Sequence, residues 1–318
     1  ALIDDPHIAL FDNCASADSH AEPTIAAAQA GKHVWCEKPL ALTAADALRM
    51  WQAAERAGVT HMVGFNYRFV PALRHLRDLI AAGRLGRIYS LRATYLQEGG
   101  DDPTRPYTWR SDRSAGGYNA LGDLGVHIID LARYLVGEIA AVSAMTATFV
   151  TERPLAQDPA VLRRVTTDDQ FIATIRFASG AIGSLEASKV ATGHKNCNRL
   201  EVNGSLGSAA FDLERLNELA LYLREPDDAL NEGWRTVLVT EREHPFYAVW
   251  WPHGHVIGWE HTFVHEARHL LNAIATGAPV APDGATFADG YRAMAVAEAI
   301  LRAADTGQQQ EVAYASVG

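Results

Sequence analysis

The stretch GKHVWCEKPLALTAADALRMWQAAERAGVTHMVGFN, residues 31–66, decides the architecture of the first part of the chain. HVWC at 33–36 is a short apolar run of strand type, and THMVGFN at 60–66 is a second, fully apolar one. Between them Thr43 stands ahead of AADALRMWQAAERAG with Asp46 three residues on, the spacing of a helix capping box. Leu48, Trp51 and Ala54 share one face of that helix. Gly58 falls where a helix ends in a left-handed residue. Toward the N-terminus the pattern repeats: EPTIAAAQA at 22–30 reads as a helix closed by Gly31, and IALFDNC at 8–14 as a buried strand. Buried strands alternating with helices predict a parallel sheet with right-handed crossovers.

Toward the C-terminus the character changes after about residue 85. IYSLRATYLQ (88–97), IAAVSAMTATFV (139–150), QFIATIRFA (170–178), AIGSLEAS (181–188) and RLEVNG (199–204) are strand-like. Ser179-Gly180 and Asn203-Gly204 read as hairpin turns, so this part is expected to be a large antiparallel sheet. Helices are expected near 119–136, 260–276 and 286–304. DPTRPYTWRSDRSAGG, 102–117, is a polar loop of a length usually functional or disordered.

Composition narrows the function. In 318 residues, 38 acids outnumber 28 bases for a net charge of −10, which repels polyphosphate and argues against nucleic acid. No apolar run is long enough to span a membrane, and the N-terminus lacks the basic and apolar blocks of a signal peptide. Cys14, Cys36 and Cys197 are an odd number without metal spacing, which fits free thiols in a reducing cytoplasm.

Three patches carry chemistry. Glu37-Lys38-Pro39 follows a buried strand, at the sheet edge where open α/β sheets bind ligands, and Pro39 restricts the backbone of Lys38. Asp123 and His127 in GDLGVHIID lie four apart, so a regular helix would face them the same way and let the carboxylate fix the imidazole. Taken alone, that pair reads more readily as a helix-surface ion pair. The glycine-rich approach GGYNALGDLG, 116–125, points instead to close contact with a ligand or a second backbone. Ala15-Ser16-Ala17-Asp18-Ser19-His20 opens the next helix, where a simple N-cap and an electron-rich ligand group are both accommodated.

His265-Glu266-Ala267-Arg268-His269 matches a zinc-protease pattern, but no third ligand stands at a suitable spacing, and no metal is expected. The stretch WWPHGH, 250–255, with Trp259 suits stacking on a sugar ring and equally suits a packed loop.

AGKHVWCEKPLA (30–41), GFNYRF (64–69), WR (109–110), GGYNALGDLGVHIIDLARYLVG (116–137) and DGYRAMAVAEAI (289–300) together resemble the Gfo/Idh/MocA oxidoreductases, in order and across most of the chain. The resemblance implies an α/β plus α+β architecture: residues 1–68 as the second half of a Rossmann domain, and 69–318 as a substrate and oligomerisation domain with a large open sheet. It implies a catalytic triad of Lys38, Asp123 and His127. It implies a pocket for NAD or NADP formed by Ala15, Ser16, His20, Glu37, Lys38, Asn66, Trp109, Arg110 and Tyr291. It implies that substrate hydroxyls meet Lys38, Arg68, Gln97, Asp123 and His127.

The family's first strand and G-x-G-x-x-G turn have no counterpart here, and the chain starts at Ala1 where a fourth strand is expected, so the first βαβαβ half is expected upstream. The implied activity is oxidation of a secondary hydroxyl on a cyclic sugar, anhydrosugar or polyol. His127, oriented by Asp123, would take the proton while Lys38 donates to the same oxygen. An NAD-dependent glycosidase and a non-catalytic sugar or dinucleotide sensor are the alternatives. A homodimer or homotetramer through the open sheet is implied as well.

Overall fold

The computed structural model describes residues 2–116, 119–225 and 229–315. Gly117 and Tyr118, part of the glycine-rich approach, lie outside them. The first part is a parallel sheet of order β1-β2-β3, formed by β1 (Leu10–Asn13), β2 (His33–Cys36) and β3 (His61–Val63). The connections are α1 (Ala21–Gln29) and α2 (Ala44–Ala57). The helix signals act as read. Thr43 accepts from the Asp46 backbone N–H at 3.0 Å, and Gly58 closes α2 with a φ of 64°. The strand expected over 60–66 stops at Val63, because Asn66–Phe69 form a tight turn that leads into α3 (Pro71–Ala81), a helix not anticipated from the sequence.

The second part is a nine-stranded sheet. In chain order it comprises β4 (Ile88–Leu96), β5 (Ile139–Ala147), β8 (Gln170–Phe177), β9 (Ile182–Ser188), β10 (Cys197–Gly204), β11 (Gly207–Asp212), β12 (Glu218–Leu223), β13 (Arg235–Leu238) and β14 (Gln310–Glu311). Across the sheet the order is β13-β12-β11-β10-β4-β9-β8-β5-β14. A separate ribbon pairs β6 (Glu152–Pro154) with β7 (Leu162–Arg164). Two expectations need correction. The sheet is mixed: β4 and β9 run parallel, because the chain returns to β4 only after a long excursion, whereas the other neighbours are antiparallel. The second hairpin turns at Ser205-Leu206, not Asn203-Gly204, which belong to β10. A Cβ on Gly204 would lie 2.2 Å from the Leu85 carbonyl oxygen, so that glycine serves close packing rather than a turn.

Four helices complete the chain: α4 (Arg113–Gly116), α5 (Val126–Val136), α6 (His261–Thr276) and α7 (Phe287–Thr306). α5 and α7 cover the inner face of the sheet, and α7 also packs on α2, so one continuous core joins the two parts. Phe171 and Phe177 of β8 are fully buried in that core. In the described part of the long polar loop Trp109–Ser111 form a capped turn, and the Arg153 guanidinium donates to the carbonyls of Gly100 and Asp102 at 2.6 and 2.8 Å.

Candidate active site

Two adjoining cavities lie where the parallel strands end above the large sheet. One, of about 330 Å³, is lined by Ala15, Ser16, Glu37, Lys38, Trp109 and Arg110, with Asn119, Gly122 and Asp123 opposite. The other, of about 450 Å³, is lined by Gln97, Arg105, Arg153 and Lys189, and it shares Arg110, Asn119 and Asp123 with the first. Asp123 therefore stands on the wall between them.

The local fold explains why Asp123 is there. Leu121–Gly125 form a π turn, in which the Val126 N–H reaches back five residues to the Leu121 carbonyl. Such a turn is one residue wider than an α-helical one and is frequent at functional sites. It breaks the phase that a four-residue spacing assumes, and Asp123 makes no hydrogen bond to His127. Its carboxylate instead accepts from Lys38 Nζ at 2.6 Å through one oxygen and from Lys189 Nζ through the other. Lys38 Nζ also donates to the Asp123 carbonyl at 2.9 Å. Burial alone would raise the Asp123 pKa, but Lys38 and then Lys189 outweigh it and hold the carboxyl well below its usual range.

His127 is buried, and its Nδ1 has no hydrogen-bond partner among the described residues. Its ring is set by Tyr67, Phe65 and Tyr95, with centroids at 4.8, 5.7 and 6.1 Å. Burial, and then the charge of Lys38, push its pKa well below 6.5, with Asp123 opposing only in part. The imidazole is therefore neutral at physiological pH, free to accept a proton. The cage continues as a chain of hydroxyls: Tyr67 meets Tyr95 at 2.6 Å, Tyr95 donates to Asn196 at 2.8 Å, and the Trp259 ring N–H points at Tyr67 from 3.4 Å.

The glycines of the approach divide the labour expected of them. Gly122 lines the first cavity. Gly125 is demanded by packing, since a Cβ there would come within 2.6 Å of the Phe171 ring. Asp168 holds the start of the π turn by accepting from the backbone N–H groups of Asn119 and Leu121 at 2.9 and 2.7 Å.

Five residues assigned to ligands stand off the cavity walls, the buried His127 among them. His20 is buried, with its ring nitrogens against the carbonyls of Ala15, Pro39 and Leu40, so it braces the two loops rather than lining the cavity. Asn66 donates to Thr262 in the core. Tyr291 stacks on Trp51, and its hydroxyl accepts from the Ala315 N–H. Arg68 is only 3% exposed and grips Asp130 through two nitrogens at 2.8 and 2.5 Å. By contrast Ala15, Ser16, Glu37, Lys38, Trp109, Arg110, Gln97 and Asp123 all stand on cavity walls. Lys189 was missed, because it follows β9 without any motif and meets Asp123 only in three dimensions. In the zinc-like motif, His265 is engaged by the Phe69 carbonyl and the Trp250 ring N–H, and His269 by the Val280 carbonyl.

Comparison with known proteins identifies the family. Residues 1–65 match the family model described as the oxidoreductase family with an NAD-binding Rossmann fold. Residues 73–210 match the GFO/IDH/MocA C-terminal domain. The chain is 42% identical to levoglucosan dehydrogenase of Pseudarthrobacter phenanthrenivorans, over 96% of this chain and 80% of that protein. It superposes on a levoglucosan dehydrogenase solved with NADH and levoglucosan with a TM-score of 0.92 at 42% identity, covering 98% of this chain and 82% of that one. An oxidoreductase domain protein from Kribbella flavida gives the same TM-score, 0.92, at 44% identity, covering 98% of this chain and 82% of that one. The chain belongs to the GFO/IDH/MocA family of NAD-dependent oxidoreductases.

Proposed function

We propose that the protein oxidises a secondary hydroxyl of a cyclic sugar, anhydrosugar or polyol, with the catalytic work falling to Lys38, Asp123 and His127. The observation that carries this reading is the Lys38–Asp123 pair on the wall where two cavities meet, with a neutral His127 buried close enough behind it to feel both charges. Similarity to levoglucosan dehydrogenase supports the sugar class.

The polar loops after β1 and β2 fit the nicotinamide end of a dinucleotide: Ala15, Ser16, Glu37, Trp109 and Arg110 surround a cavity open to Asp123. When bound, NAD supplies the hydride acceptor. The chain's own groups handle the rest. His127 takes the hydroxyl proton at an imidazole nitrogen, oriented by its aromatic neighbours and not by Asp123 as the spacing suggested. Lys38, pinned by Asp123, donates to the same oxygen and stabilises the negative charge that grows there. Gln97, its amide N–H held toward Asn196 at 2.9 Å, serves a further substrate hydroxyl.

The test is NADH formation against a panel of sugars, anhydrosugars and inositols. A signal with one class supports the reading. Release of free sugar from glycosides with no net NADH would replace it by the glycosidase reading, and binding without turnover by the sensor reading.

For assembly, we propose pairing through the outer face of the nine-stranded sheet. On that face Met145 and its cross-strand partner Ile172 are both exposed. A monomeric mass by light scattering would overturn it. A cytoplasmic location is supported by three free thiols. Among the described residues no helix is long and apolar enough to cross a membrane.

A further inference from the structure

We infer that Lys189 is a second hydroxyl-binding residue, reading the hydroxyl next to the one that is oxidised. The inference rests on the dehydrogenase reading above and assigns its substrate class more narrowly, to sugars with a free vicinal hydroxyl.

The argument is geometric. Lys38 and Lys189 each take one oxygen of the same carboxylate. Because those oxygens share one carbon, the two ammonium groups flank a single carboxylate, close enough for each to donate to a different oxygen of one sugar ring. An ammonium has three N–H donors and no acceptor. Lys38 spends two on Asp123, which leaves one for the reacting oxygen. Lys189 spends one on Asp123, which leaves two. Its side chain is largely buried yet lines the second cavity together with Gln97.

Its position is also fixed from behind. The Lys189 N–H donates to the Asp169 carbonyl at 2.9 Å, and its own carbonyl accepts from the Gly100 N–H at 2.6 Å. Next to it, the Gln97 N–H donates to the Ser188 carbonyl at 2.8 Å. A residue needed only to neutralise Asp123 would not have to reach the cavity wall. One carboxylate between two ammonium groups leaves a net positive charge there, which favours hydroxyl oxygens as acceptors and disfavours cationic substrates.

The experiment is a kinetic cycle on the whole protein with NAD. Wild type and Lys189→Met are compared on levoglucosan and myo-inositol and on their monodeoxy derivatives, each lacking one hydroxyl. The expected result is that wild type discriminates against one deoxy derivative by about tenfold or more in kcat/KM. Lys189→Met should lose that discrimination while keeping the others, with the loss on the parent sugar falling mainly in KM. Lys189→Arg should restore part of it. Equal penalties in wild type and variant for every deoxy derivative would overturn the inference and leave the dehydrogenase reading intact. No turnover of any sugar by wild type would overturn both. If Lys189→Met does not fold, Lys189→Gln takes its place in the same cycle.

Discussion

Asp123 and Asp130 stand seven residues apart on one stretch of chain, and each is gripped by basic side chains, yet their surroundings differ. Asp123 meets two lysines at a cavity wall, with its side chain 35% exposed. Asp130 is 1% exposed and meets the forked guanidinium of Arg68, which also reaches Asp289 at 3.3 Å. Arg133 joins Asp289 to Glu138 in the same network. Arginine, planar and permanently charged, suits a buried two-point clamp, whereas lysine, a compact donor on a flexible stem, suits a site that must exchange partners. The lesson is that a cation beside a carboxylate becomes chemistry where a cavity leaves some of its donors free, and architecture where every donor is taken.

The comparison breaks most visibly at Lys38. Lys38→Met should lower kcat by roughly three to four orders of magnitude and leave the unfolding transition in place. Near-normal turnover would remove the mechanism. On the other side, Arg68→Met should cost about 3 to 5 kcal/mol of stability in urea unfolding, because it strands Asp130 without its partner, while the folded fraction keeps its KM. A variant that unfolds like wild type but binds sugar poorly would return Arg68 to the substrate site.

Asp168 sharpens the contrast from a third position. Burial raises its pKa to about 6, although the N–H groups of Leu121 and Asn119 oppose the shift. The fold thus favours the neutral form. The associated stability is complete below the ordinary carboxylate value of about 3.9 and is lost as pH rises through about 6, a change of about 3 kcal/mol. The difference in unfolding free energy between wild type and Asp168→Asn should carry that slope between pH 4 and 6, and a flat difference would refute it. The smallest effect is expected at Tyr67→Phe, which removes one hydroxyl from the pair with Tyr95 and should cost about 1 kcal/mol, measured by thermal unfolding.

Legibility in the sequence followed locality. The capped helix over Ala44–Ala57 and the strand His33–Cys36 were readable because their signals lie within a few residues. Lys38 and Asp123 were readable as motifs, and both reach the cavity wall. What could not be read depended on distant partners. The π turn hides in an ordinary helical pattern and detaches Asp123 from His127. Arg68 looked like a free substrate ligand because its acceptor, Asp130, lies 62 residues away. Lys189 carries no local signal at all. The strands Gly207–Asp212 and Glu218–Leu223 went unread, although Leu219, Leu221 and Leu223 alternate with half-buried neighbours as a strand requires.

The bond between Lys38 and Asp123 joins residues 85 apart in the chain, and the one between Lys189 and Asp123 joins residues 66 apart. Contacts of such long range close late, after local helices and hairpins have formed, because the intervening chain must first surrender its freedom. In a refolding experiment the far-ultraviolet signal should therefore return before the ability to turn over substrate. The interval between the two would time the moment at which three separate segments of chain become a single reagent.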